Sequence, residues 1–185
     1  GFTEHDTWLH VAPMFHLADA WACYAFTLVG ATHSFIPAFT PQLFLESVQR
    51  WRVTKTVLVP TMLNFLINLP GVKDYDTSSI DMILYGASPM PVDRLLAAVR
   101  TFNTRFVQAY GMTETAPLLT LMQAHWLKFD GSEEDNRRMA SCGRQIGGVD
   151  VRVVDQSTGE DVKPGQIGEI IADARAGRLP GVEPL

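Results

Sequence analysis

Short apolar runs of strand length alternate with amphipathic runs of helical period along most of this chain, and that alternation restricts it to an α/β layer architecture. Residues 7–11 read as a strand stopped by Pro13, residues 18–29 as a mostly apolar helix, and residues 33–36 as a second strand. Thr40 before Pro41 is a helix start, because the hydroxyl accepts from a free amide and proline has none to satisfy. Phe44, Leu45, Val48 and Trp51 then share one helical face. Residues 57–59 form a buried strand ending at Pro60, after which Met62, Leu63, Leu66 and Ile67 repeat at helical spacing.

A third unit starts with a strand at 82–85, turns through 86–91, and continues as a helix with Leu95, Leu96 and Val99 facing inward. Residues 106–109 are the next strand, and 131–136 read as a charged, solvated loop. From Val149 the pattern becomes a hairpin, with Val149, Val151 and Val153 alternating, a turn at 157–160 and a strand at 169–172. The expected fold is therefore α/β, in layered strand-helix units, with a small β-rich region at the carboxy-terminal end. Residues 1–140 are expected to form the α/β part, 141–172 the start of the β-rich part, and 173–185 a divergent or truncated tail.

Bulk properties narrow the function classes. The 185 residues are 46% hydrophobic and 19% charged, which fits a folded domain and not a disordered chain. A net charge of -5 leaves no excess of cations to neutralise a nucleic-acid backbone, so nucleic acid is not expected as a partner. Cys23 and Cys142 stand far apart, with no Cys or His at metal-ligand spacing, which argues against a disulfide framework and for a reducing cytoplasm. The apolar stretch 17–36 is broken by Asp19, Gly30 and His33, so no transmembrane segment is expected there. The first six residues contain no basic region of a signal peptide.

In open α/β sheets, ligands bind beyond the carboxyl ends of the strands, so the loops after strands are the places to search. Three stand out: Ala12-Pro13-Met14-Phe15-His16, Gly86-Ala87-Ser88-Pro89-Met90-Pro91, and Tyr110-Gly111-Met112-Thr113-Glu114-Thr115. In the third, Tyr110 offers a flat ring for a purine, Gly111 close backbone approach, Thr113 a hydroxyl for a phosphate oxygen, and Glu114 a hard ligand for Mg²⁺. From spacing alone, a polar turn that caps a helix explains the same residues. His16 offers an imidazole that can gate a pocket or shuttle a proton, although an isolated histidine is more often a packed or capping residue. Small side chains at Gly86, Ala87 and Ser88 leave room for a base or an acyl chain, and such residues are also common in ordinary turns.

Taken together and in this order, the motifs resemble the adenylate-forming superfamily, most of all its acyl-CoA synthetases. Pro13-Met14-Phe15-His16 is similar to the family's Pro-x-Phe-His segment, Tyr85-Gly86-Ala87-Ser88-Pro89 to its adenine-side loop, and Gln108-Ala109-Tyr110-Gly111-Met112-Thr113-Glu114 to its most diagnostic motif. Cys142-Gly143-Arg144-Gln145-Ile146-Gly147-Gly148 and Pro164-Gly165-Gln166-Ile167-Gly168-Glu169-Ile170 are similar to its later signatures. The resemblance covers the chain to about residue 172 and identifies it with the central part of the family's large amino-terminal domain.

The resemblance implies ATP, bound as AMP after reaction, with Mg²⁺, a carboxylic acid and CoA. It implies a nucleotide site of Gly86, Ala87, Ser88, Pro89, Gln108, Ala109, Tyr110, Gly111, Met112 and Thr113, with Glu114 on the metal. Thr113, Glu114 and His16 would take part in catalysis, and His16, Gly86, Gly111, Met112, Pro117 and Leu118 would wall the acid and CoA side. It further implies a phosphate loop before Gly1, and a ribose-binding aspartate and catalytic lysine after Leu185, so this piece alone is not expected to turn over. Residues 172–180 lack the glycine and aromatic pair expected after Ile170. Two rivals remain open at this stage: a non-catalytic nucleotide-binding or interaction fragment of the same fold, and an amino-acid adenylation domain, for which Asp19 would be the carboxylate that holds the substrate amine.

Overall fold

A computed structural model describes residues 1–115 and 117–173. Of the tail expected at 173–185, residues 174–185 lie outside the described residues. Among the described residues, seven strands form the main sheet: β1 (Thr7–His10), β2 (Thr32–Phe35), β3 (Lys55–Leu58), β4 (Met82–Gly86), β5 (Arg105–Tyr110), β6 (Thr120–Met122) and β7 (Arg144–Gln145), in the spatial order β2-β1-β3-β4-β5-β6-β7. The first five run parallel, and β6 and β7 join antiparallel. A separate hairpin pairs β8 (Asp150–Val154) with β9 (Glu169–Asp173) in antiparallel fashion. The α/β class and the β-rich carboxy-terminal region are both present.

Among the described residues, five α-helices connect and cover the sheet: α1 (Leu17–Leu28), α2 (Pro41–Trp51), α3 (Pro60–Ile67), α4 (Val92–Phe102) and α5 (Glu133–Met139). Period-two alternation divides the strand residues between two faces. Leu9, Leu58, Ile83, Tyr85 and Phe106 pack with Phe44, Leu45 and Val48 of α2, Leu63 and Leu66 of α3, and Leu95, Ala98 and Phe102 of α4. On the other face, Trp8 and Val57 meet Ala22 and Phe26 of α1. Only α1 among the described helices contributes buried residues there, and Leu84 and Val107 stay half-buried.

Local chemistry fixes the helix ends. Thr40 Oγ1 accepts from the Leu43 amide at 3.1 Å, as its position before Pro41 predicts, a cap that contributes about 1 kcal/mol. Trp51 departs from the expected inner face: it is exposed, with the Arg50 guanidinium 5.8 Å from its ring centroid. In α4 the buried set is Leu95, Ala98 and Phe102, and Leu96 and Val99 pack at the margin of the core.

The charged segment expected as a solvated loop at 131–136 is instead the approach to α5 and its first turns. Ser132 caps it by accepting from the Asp135 amide at 3.2 Å. Acidic Glu133, Glu134 and Asp135 lie in the first turn and Arg137 and Arg138 in the last, the order that the helix dipole favours. Asp135 and Met139 are buried, so tertiary contact completes a helix whose composition reads as loop. Strands β6 and β7, three and two residues long, fall below the length at which period-two patterning is visible in a sequence.

Candidate functional site

All five parallel strands present their carboxyl ends to the same edge, so the three loops selected from the sequence leave the sheet on one side. The second and third are direct neighbours. Gly86 is in register with Ala109, and the backbones approach so closely there that a Cβ on Gly86 would lie 2.1 Å from the Ala109 carbonyl oxygen. Gly111 is equally constrained: a Cβ would lie 1.9 Å from the carbonyl oxygen of Pro117 on the returning strand segment. Both glycines are thus required by contact between main chains.

Directly after Gly111 the chain forms a tight, self-bonded turn. Thr113–Thr115 make one 3-10 turn, in which the Met112 amide donates to Thr115 Oγ1 at 3.1 Å and the Thr115 hydroxyl donates to the Met112 carbonyl at 2.9 Å. Thr113 and Glu114 are exposed, and neither side chain is bonded to another described residue. Tyr110 is half-buried at the end of β5, where its carbonyl accepts from the Leu119 amide at 2.9 Å. Pro117 and Leu118 are half-buried beside Gly111.

Ala87, Ser88 and Pro89 are exposed at the end of β4, and Ala87 has a φ of +66°. A left-handed alanine costs about 1–2 kcal/mol, strain that clusters at ligand-binding turns. Nothing in the sequence signals it, because alanine is not enriched in that conformation. Thr115 is the other participant that sequence reasoning passed over; the signal was a hydroxyl three residues after Met112, spaced for a side-chain turn. Below the edge, Gln108 is in register with Tyr85, and Gln108 Oε1 and the Tyr85 hydroxyl are both buried without a hydrogen-bond partner among the described residues. Burial pushes the Tyr85 phenol well above its usual pKa, so it stays neutral.

His16 lies on the same edge but at a distance. It is exposed, its ring packs on Phe15 at 4.4 Å, and its carbonyl starts α1 by accepting from Asp19 and Ala20 amides. Strands β3 and β4 separate β1 from β5, which places roughly 14 Å of sheet between the two loops at the usual strand spacing. No hydrogen bond or ring contact joins His16 to residues 110–115 among the described residues.

Asp19 is removed from the candidates for holding a substrate amine. It is fully buried, and its oxygens accept from Trp8 Nε1 at 2.9 Å, His10 Nδ1 at 3.0 Å and the Ala12 amide at 3.3 Å. A concavity of about 370 Å³ lies on the hairpin, lined by Val151, Asp161, Lys163 and Gln166 among others, and includes none of the three loops. It is the open angle between β8 and the turn that follows it, with Arg152 already paired to Asp161. The carboxyl edge, whose hydroxyl and carboxylate have no partner among the described residues, is the stronger candidate.

Comparison with known proteins agrees with this geometry. The model of the AMP-binding enzyme family matches residues 1–176. The chain is 35% identical over 132 residues to a medium/long-chain-fatty-acid–CoA ligase of Mycobacterium tuberculosis, covering 71% of this chain and 22% of that protein. It is 31% identical to 4-coumarate–CoA ligase 2 of Nicotiana tabacum, covering 90% of this chain and 30% of the relative. Among solved structures, O-succinylbenzoate coenzyme A synthetase from Bacillus subtilis, in complex with ATP and magnesium ion, superposes with a TM-score of 0.78 at 27% identity, over 95% of this chain and 34% of that one. The amino-terminal domain of FACL13 from Mycobacterium tuberculosis gives the same TM-score at 26% identity, over 94% of this chain and 41% of that one. The chain spans less than a third of the length of these two curated relatives. With the family motifs placed on adjoining strand ends of the matching fold, the chain belongs to the AMP-binding enzyme family and is a fragment of a member related to AMP-forming acyl-CoA ligases.

Proposed function

We propose that the protein containing this chain activates a carboxylic acid, fatty or aryl, with ATP and transfers the acyl group to CoA. The observation that carries this is the juxtaposition of the Gly86 turn with the 110–115 turn, where an exposed hydroxyl and carboxylate have no partner among the described residues. The acid class is drawn from relatives that act on fatty and aryl acids, among them a feruloyl-CoA synthase of Amycolatopsis that is 36% identical over 165 residues.

In this scheme Gly86, Ala87, Ser88, Pro89, Gln108 and Ala109 line the nucleotide, and Tyr110 stacks on the purine. Thr113 donates its hydroxyl proton to an α-phosphate oxygen, where charge builds as the acid's carboxylate attacks phosphorus and pyrophosphate leaves. The thiol of CoA then attacks the acyl carbon and AMP departs, so neither half needs a protein nucleophile. Orientation by the two rigid turns supplies the main advantage. His16, with Gly111, Met112, Pro117 and Leu118, borders the acid and CoA side.

Glu114 suits magnesium. No group of three or more His, Cys, Asp and Glu side chains converges among the described residues, and Mg²⁺ commonly takes one or two carboxylates while phosphate oxygens and water complete its shell. When bound, the ion offsets negative charge on the phosphates. A cytoplasmic setting belongs to the same proposal and rests on the free, half-buried thiols Cys23 and Cys142.

The experiment is acid-dependent pyrophosphate release by the full-length protein, with a panel of fatty and aryl acids. Thr113→Ala should lower release about 100- to 1,000-fold. No acid-dependent release from the intact protein would favour a non-catalytic binding role. Titration of this chain with a non-hydrolysable acyl-adenylate analogue tests whether the edge binds nucleotide by itself.

A further inference from the structure

Behind the loop that carries His16, a chain of polar groups runs from the interior of the sheet to its surface. Asp19 of α1 is fully buried and receives three hydrogen bonds, from Trp8, His10 and the Ala12 amide at the start of the loop. His10 Nε2 lies 2.9 Å from Nδ1 of His33 on β2, and His33 Nε2 lies 3.1 Å from the hydroxyl of Thr27, which is exposed. The titratable groups facing this array are Asp19 from α1, His10 from β1 and His33 from β2; the other rings against it, Trp8, Phe26 and Phe35, carry no charge.

Hydrogen-bond chemistry limits the protons this chain can hold. Asp19 as a carboxylate only accepts, so His10 carries a proton on Nδ1. With both rings neutral, His33 Nδ1–H donates to His10 Nε2, and the Thr27 hydroxyl donates to His33 Nε2. With one more proton, each of those two bonds reverses direction: His10 Nε2–H donates to His33 Nδ1, and His33 Nε2–H donates to the Thr27 oxygen. Both arrangements satisfy every atom with the heavy atoms in place. A second extra proton would set N–H against N–H between the two imidazoles and break their contact.

We propose that Asp19 is a positioning residue for the 12–16 loop, and that His10 and His33 form a relay through which a solvent proton arriving at Thr27 changes the charge facing the carboxylate that holds it. A fully buried carboxylate is retained only with such compensation, and the Ala12 amide is the point at which it grips the loop. The consequence for His16 as part of an acid-activating site rests on the function proposed above; the relay does not.

The test is NMR of this chain carrying ¹⁵N-histidine, together with amide exchange. From about pH 8 to about pH 5, the range in which histidine charge changes, the ring nitrogens of His10 and His33 should shift in one shared step, and the His16 signal should show an inflection at the same pH. Independent titration of His10 and His33 overturns the relay. In Asp19→Asn, amides at 12–16 should exchange about tenfold faster, while those of β4 and β5 keep their rates; unchanged exchange at 12–16 overturns the positioning role. Should Asp19→Asn fail to fold, His33→Leu decides: leucine neither accepts from His10 Nε2–H nor titrates, so the inflection at His16 should vanish, and its persistence overturns the proposal. None of these signals requires turnover, so their failure leaves acid activation standing, and an absence of pyrophosphate release leaves them interpretable.

Discussion

Tyr85 and Gln108 are side by side in the parallel register of β4 and β5, and the hydroxyl of one and the amide oxygen of the other are both buried without a hydrogen-bond partner among the described residues. A buried polar group left unpaired costs about 1–3 kcal/mol, so this pair is a debit in the core just beneath the candidate nucleotide edge. Tyr85→Phe removes one of the unpaired atoms while keeping the ring that meets Phe106 at 6.2 Å. Thermal unfolding should show unchanged stability or a gain of up to about 1 kcal/mol. A loss of that size would reveal a partner, such as a water, that satisfies the hydroxyl.

Gly111 and Gly147 make a controlled comparison. A Cβ on Gly111 meets backbone at 1.9 Å, whereas at Gly147 it meets nothing within 4 Å. Gly111→Ala should destabilise the chain by about 1–3 kcal/mol or displace the 110–115 turn, with loss of acyl-adenylate analogue binding. Gly147→Ala should stay within about 0.5 kcal/mol. Denaturant unfolding of both variants, alongside analogue titration, separates the two outcomes.

At the opposite edge of the sheet the charges are paired. Lys55, nearly buried, bonds Asp6 and reaches Asp81 at 3.2 Å, and Arg105 also bonds Asp81. Lys55→Met leaves Asp6 buried without its cation and should cost about 3–5 kcal/mol, most of it from Asp6, because Asp81 is open to solvent. Chemical denaturation measures the loss, and an Asp6→Asn/Lys55→Met double variant should recover a large part of it.

The same carboxylate gives an acid limb. Burial raises the Asp6 pKa, but the bonds from Lys55, Thr3 and Thr54 together outweigh it and hold the group below its usual value. An unfolded chain therefore takes up this proton more readily. The stability contributed is present above the ordinary carboxylate range near pH 3.9 and is lost as pH falls through the lower folded value. Asp6→Asn should flatten that part of an unfolding profile measured against pH.

His33 acts at higher pH. Burial lowers its pKa, the charge of His10 lowers it further, and Asp19 only partly offsets them. Folding thus disfavours the protonated imidazole. The contribution is fully present above about pH 6.5, the unfolded value, and is lost as pH falls through the depressed folded value. In His33→Gln, melting temperature should depend less steeply on pH across that interval.

How much of this was legible beforehand depends on the range of the interactions concerned. Thr40 before Pro41 announced a helix start, and Thr40 does cap α2, because the cap spans three residues. Gly131 to Asn136 announced a loop, yet the segment leads into α5, because burial of Asp135 and Met139 comes from partners distant in sequence. Asp19 looked available to a substrate until the fold surrounded it with Trp8, His10 and Ala12.

The sequence by itself determined the alternating strand-helix order, the three loops with their small residues, hydroxyl and carboxylate, and the family they resemble, since these are properties of neighbours along the chain. Only the tertiary structure decided that Gly86 adjoins Ala109, that Gly111 is pressed against Pro117, that Tyr85 and Gln108 share an unpaired buried corner, and that His16 stands three strand spacings from the Tyr110 loop. Those relations depend on strand order and register, which arise from burial summed over the whole sheet, and no local run of residues encodes them.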